Sequence, residues 1–144
     1  MAGLPIPVRD IRVRFHYVGG CGPFADITAT FEPPDDAGEP DFVNLVPDED
    51  LPDEYVAAYR AGVAQGLGGD ADGDTGIAAD VLITAGRHHI VDSSEYGFKI
   101  AGQMAARAVL ITAGILPPVE AHKLTKVTWP EKSRLIGEHD PLRP

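Results

Sequence analysis

Between His88 and Ala105 the chain runs HHIVDSSEYGFKIAGQMA, and no other stretch restricts the fold as much. An apolar run ends here, and a long helix begins with its own start signal. Asp92 or Ser93 is placed to accept hydrogen bonds from the first free backbone N–H groups, and Glu95 to reach back as in a capping box. Behind that cap Phe98, Ala101, Met104, Ala105 and Ala108 recur at three- and four-residue steps, which makes one apolar helical face. The spacing predicts a helix from Ser93 to Ala113 with Gly114 as its C-terminal cap. Arg87, His88 and His89 then stand at the tip of a strand-to-helix turn, where side chains commonly face solvent or a partner.

The other elements follow from shorter periods. Ile11, Val13, Phe15 and Tyr17 alternate with Arg12, Arg14 and His16, a half-buried strand with a basic outer face. After the loop Gly19–Pro23, Ala25, Ile27, Ala29 and Phe31 alternate with Asp26, Thr28 and Thr30, so the pair forms an antiparallel hairpin. Asp41–Val46 is expected to be a short third strand. Pro52 suits the first turn of a helix whose stripe is Tyr55, Val56, Tyr59 and Val63, ended by Gly66 or Gly68. Ile77–Ala85 is β-branched and flanked by glycines, which suits a central strand, and Val119–Trp129 is expected to be the last one. Residues 131–144 carry little apolar pattern, and an extended or loosely packed tail is expected beyond a domain of residues 1–130. The order β-β-β-α-β-α-β predicts an α+β, two-layer sandwich: two helices on one face of a four- to five-stranded sheet.

Composition sets limits on partners. A chain of 144 residues with 44% hydrophobic content suits one soluble domain. No stretch is long enough to span a bilayer, Met1–Pro7 lacks signal-peptide features, and Cys21 is the single cysteine. A cytoplasmic protein without membrane contact or an internal disulfide is expected. Twelve basic and 22 acidic residues give a net charge of −10. From Glu32 to Glu54 carboxylates crowd the chain, with no lysine or arginine between them. Such a surface repels phosphate backbones, so RNA contact has to be local, and most of the acids serve solubility.

Several motifs together resemble the fourth domain of elongation factor G, the translocation GTPase of the ribosome. Ala85-Gly86-Arg87-His88-His89-Ile90-Val91-Asp92-Ser93-Ser94-Glu95 is similar to its tip loop, which ends in histidine and enters a V-D-S-S-E helix. Val18-Gly19-Gly20-Cys21-Gly22-Pro23-Phe24 resembles its glycine-rich hairpin loop, and Pro52-Asp53-Glu54-Tyr55 its first helix start. Leu116-Pro117-Pro118-Val119-Glu120 resembles its return into the last strand, so the likeness covers about residues 8–130. The resemblance implies the fold of the second domain of ribosomal protein S5, with a left-handed β-α-β crossover. It also implies that Gly19, Gly20, Cys21, Gly22, Arg87, His88 and His89 share one end, used on RNA or a partner. There His89 would contact RNA, His88 support it, Arg87 anchor it electrostatically, and the glycines allow close backbone approach. The small ribosomal subunit or a translation-associated protein is the implied partner, with no catalytic residue, cofactor or metal. The family usually carries an arginine and a glutamine-tyrosine pair in the hairpin loop; Cys21 and Pro23-Phe24 remove those RNA-facing groups.

Alternatives stay open beside that reading. The chain has no G-x-x-x-x-G-K-[ST] loop, which excludes nucleotide binding by that route and any translocase activity by this segment alone. A protein-interaction module that kept the scaffold, including a homo-oligomer, suits the charge. Cys21 with two histidines would serve a thiol enzyme only with an activating base and an oxyanion hole, and three ligands are few for structural zinc. Asp70-Ala71-Asp72-Gly73-Asp74 looks like a calcium loop, but Val81 stands where a bidentate glutamate belongs. Lys99 and Arg107 fit a solvated helix face, and Trp129 a packing role.

Overall fold

A computed structural model describes residues 2–16, 24–35, 40–68, 76–89 and 93–138. In chain order the elements are β1 (Ala2–Gly3), β2 (Val8–His16), β3 (Phe24–Glu32), β4 (Phe42–Asn44), α1 (Asp53–Leu67), β5 (Ile77–Ala78), β6 (Asp80–Arg87), α2 (Glu95–Thr112), a 3-10 helix (Pro118–Lys123), β7 (Val127–Thr128) and α3 (Lys132–Glu138). Five strands form one sheet in the order β4-β6-β3-β2-β7. Every pairing in it is antiparallel except β4 with β6, so α1 is the crossover between two adjacent parallel strands. The short strands β1 and β5 pair separately, in parallel. This is the expected α+β sandwich, with α1 and α2 on one face and the other face open.

Alternation decides which side chains meet the helices. Ile11, Val13 and Phe15 of β2 and Ala25, Ile27, Ala29 and Phe31 of β3 are buried, and Val13 lies opposite Ile27 in the ladder. Two irregularities correct the simple period. Val8 and Ile11 are three residues apart yet both fully buried; a bulge between them, with Asp10 at φ 57, restores the face. A second irregularity in the β3–β6 pairing sets Ala29 opposite Ile83 but Thr28 opposite Ala85. Val81 and Ile83 therefore face the core, whereas Ala85 and Arg87, of the same parity, turn to the open face. Gly86 takes the core position, where a Cβ would meet Leu51 at 3.0 Å.

The helices approach each other through glycine. A Cβ on Gly62 would overlap the Lys99 carbonyl, and one on Gly102 the Tyr59 carbonyl. Helix α2 buries Phe98, Ala101, Ala105, Ala108, Val109 and Ile111 and is the main core element; α1 contributes Tyr59, Val63 and Leu67. At its end Gly114 adopts φ 82, Gly114 N–H donates to the Ile111 carbonyl and Ile115 N–H to that of Leu110, a Schellman closure.

Five expectations need correction. Ile77–Ala85 is not one central strand: Ile77–Ala78 pairs with β1 apart from the main sheet, and β6 lies between β4 and β3, which leaves β3 at the centre. The start of α2 is capped by Ser94, whose hydroxyl accepts from Gly97 N–H at 3.1 Å, because Ser93 is engaged elsewhere; Asp92 lies outside the described residues. Pro52 precedes the first turn of α1 instead of occupying it. Val119–Trp129 is not one strand: Pro118 starts a 3-10 helix, and only Val127–Thr128 joins the sheet. Its buried residues Ala121, Leu124 and Val127 fall three apart, and only Val127 and Trp129 keep the two-residue step of a strand. Residues 132–138 are not loose either, since α3 buries Leu135, and Lys132 Nζ donates to the Leu124 and Val127 carbonyls. Among the described residues no helix is long and apolar enough to cross a membrane.

Candidate functional site

The strand-to-helix turn is built from short-range contacts that aim each side chain differently. His88 Nδ1–H donates to the Asp50 carbonyl at 2.9 Å, and its ring lies 5.8 Å from that of Tyr55. Tyr55 in turn stacks on Phe98 at 4.9 Å, so His88 closes an aromatic column that spans both helices. His89 N–H donates to the Ser93 hydroxyl at 2.8 Å, and that hydroxyl donates to the Phe24 carbonyl at 3.1 Å. One serine thus ties the turn to the hairpin. The Tyr55 hydroxyl adds a bond to the Ser93 carbonyl at 3.3 Å.

Phe24 is the last residue of the hairpin stem, opposite His16. Its ring lies 6.1 Å from that of His89, and the Arg87 guanidinium carbon stands 5.7 Å from the ring centre. The mouth of the hairpin and the strand-to-helix turn therefore meet at one corner. The predicted loop residues Gly19, Gly20, Cys21 and Gly22 lie outside the described residues, as does the acidic stretch Asp70–Asp74. Arg87 reaches across the open sheet face to Asp26.

Asp26 organises that face. Its carboxylate is 8% exposed and accepts from Arg12 Nε and Nη2 at 3.0 and 2.9 Å and from Arg87 Nε at 2.9 Å, with Arg14 Nε at 3.9 Å. Burial alone would raise the Asp26 pKa, but the hydrogen bonds and charges of Arg12 and Arg87 outweigh it and hold the carboxyl below its ordinary value. The same pairing raises Arg12. The three arginine side chains remain 46–57% exposed although they close over Asp26.

The corner has two electrostatic sides. Arg12, Arg14 and Arg87 lie on the sheet side. On the helix side, the turn Asp48–Asp50 holds His88, and Asp53 and Glu54 open α1. Sequence reasoning singled out Arg87, His88 and His89 but passed over Asp26, Ser93 and Tyr55. A basic outer face on β2 was legible; its carboxylate partner needed the register of β2 against β3. No group of three or more His, Cys, Asp or Glu side chains among the described residues could hold a metal ion.

Comparison with known proteins places this geometry in a family. The model of elongation factor G, domain IV, matches residues 7–114. Elongation factor G of Dehalococcoides mccartyi is 36% identical over 136 residues, which cover 87% of this chain and 18% of the relative. A crystal structure of a Thermus thermophilus protein superposes with a TM-score of 0.57 at 22% identity, covering 75% of this chain and 17% of that one, and shows the shared fold. The chain thus spans less than a fifth of the length of either protein. With its five-stranded sheet, its α1 crossover and a match across both bends, this chain belongs to the elongation factor G domain IV family.

Proposed function

We propose that this chain is a non-enzymatic translation-factor module that contacts the small ribosomal subunit or a translation-associated partner through the corner carrying Arg87, His88 and His89. The glycine loop Gly19–Gly22, with Cys21, supplies the other half of that contact. Support comes from one observation above all: the family match over residues 7–114 takes in both bends, and the stem residue Phe24 packs 6.1 Å from His89. In this reading His89 meets RNA or partner groups, His88 is held by Asp50 and Tyr55 as a support, and Arg87 supplies charge.

Co-sedimentation with small ribosomal subunits tests it. Salt-sensitive binding is expected, weakened about tenfold in an Arg87→Ala/His89→Ala double variant whose fold is checked by circular dichroism. Absence of binding at low salt, or unchanged binding by the double variant, rejects the reading.

A second reading has its own support. The acidic turn Asp48–Asp50 borders the corner, and Val43 and Leu45 at the β4 edge are 45% and 63% exposed. A module that binds a basic protein, or itself, would use that side. A sizing column with light scattering distinguishes self-association from a monomer.

A further inference from the structure

The open face of the sheet carries a group of side chains of which the corner reading uses only Arg87. Arg12 and Arg14 of β2 and Arg87 of β6 surround the Asp26 carboxylate on the central strand β3. Three cations against one anion leave a local excess of positive charge on a protein whose net charge is −10. Farther along the same strands that excess is gone, with Asp80 opposite Glu32 and Glu32 paired with Arg9 at 2.9 Å. The excess is therefore confined to the half nearest the corner. A shallow depression of about 300 Å³ runs through it, lined by Arg12, Asp26, Thr28, Ala85, Gly86 and Arg87.

We propose that this arginine-lined half of the open sheet face binds the phosphodiester backbone of an unpaired RNA segment. The proposal rests on the ribosomal reading above and gives the direction from which RNA reaches the corner.

Three features carry it. Asp26 holds Arg12 through two nitrogens and Arg87 through one, which fixes both guanidinium planes while the two side chains stay about half exposed. Guanidinium groups held in place lose less freedom on meeting phosphate, and their planar donors match its oxygens. Arg12 and Arg14 are two residues apart on one strand, about 6.8 Å, a span that successive phosphates of one strand can occupy together. Finally, the acidic turn Asp48–Asp50 and the first turn of α1 flank the corner on the helix side, so a polyanion is repelled there and admitted from the sheet side. With charges screened beyond roughly 8 Å at physiological salt, this local pattern outweighs the distant acids.

The test uses the full chain and a fluorescein-labelled oligouridylate, followed by anisotropy across a salt series, with labelled polyglutamate as the rival polyanion. The wild-type protein is expected to bind the oligouridylate and not polyglutamate. An Arg12→Gln/Arg14→Gln variant should bind roughly tenfold more weakly, and the slope of log K against log salt should fall by about 0.7 per arginine removed. Because Arg12 also pairs with Asp26, Arg14→Gln alone guards against a folding defect; it leaves both close pairs of Asp26 intact and should weaken binding about threefold. Failure of the wild type to bind, wild-type affinity in the double variant, or equal binding of polyglutamate overturns the proposal. His89→Ala separates the two readings. If it weakens binding while the arginine variants do not, the sheet-face proposal falls and the corner reading stands. The reverse pattern upholds the sheet face and shows that His89 adds nothing to RNA affinity; failure of the corner reading is read separately, from the small-subunit co-sedimentation.

Discussion

At the scale of single residues, Asp26 shows how one side chain settles the character of a surface. Its alternating position on β3 directs it away from the core, and it is nevertheless 6% exposed because three arginines close over it. Its folded-state pKa lies below the ordinary value near 3.8. Ionised Asp26 therefore stabilises the fold above that value, and the contribution is lost as pH falls through the depressed folded pKa. Replacement by asparagine is expected to cost on the order of 1–2 kcal/mol at neutral pH, discounted for the exposure of the arginines. The same change should flatten the acid limb of a stability-against-pH curve measured by urea unfolding; a limb as steep as that of the wild type would remove Asp26 from the account. The alternation of Arg12 and Arg14 was visible in the chain, as was Asp26 in the facing strand. What paired them was the register Arg12↔Thr28 and Arg14↔Asp26, which no single strand encodes.

Among elements, α1 and α2 meet with their backbones in contact. Gly62 and Gly102 let backbone meet backbone, since a Cβ at either would overlap a carbonyl of the opposite helix. Alanine favours a helix interior over glycine by about 1 kcal/mol, but here the overlap is with main chain, which cannot rotate aside. Gly102→Ala is expected to destabilise the protein by roughly 1–3 kcal/mol, because the helices must separate and loosen Tyr59 and Phe98. Thermal unfolding followed by circular dichroism measures this, and an unchanged or raised midpoint would contradict the close contact. The apolar stripe of α2 was legible because a helix repeats its period for eighteen residues. Its cap was misassigned by one residue, because three neighbouring positions, Asp92, Ser93 and Ser94, all carry suitable oxygens. Ser93 is withdrawn from that competition by the Phe24 carbonyl, a partner far away in sequence.

Over the whole molecule, the C-terminal segment completes the core. Trp129 is 6% exposed, donates from Nε1 to the Thr112 hydroxyl at 2.8 Å, and is covered by Lys132, whose Nζ stands 5.7 Å from its ring centre. Leu135 of α3 is equally buried. Truncation after Glu131 is expected to lose about 2–3 kcal/mol through exposure of Leu135 and its surroundings. Trp129 is the single tryptophan, so its emission should shift to the red; unchanged emission and stability would show that α3 contributes nothing to the core. The sequence by itself determined the hairpin, both long helices and the family, because each rests on a local period or a contiguous motif. Tertiary structure alone decided that Arg87 faces Asp26 instead of the core, that residues 132–138 pack as a helix, and that basic and acidic sides meet at one corner. The reason is geometric: a single unpaired residue in a β-ladder reverses the face of every side chain beyond it, and that residue is defined only by the strand alongside.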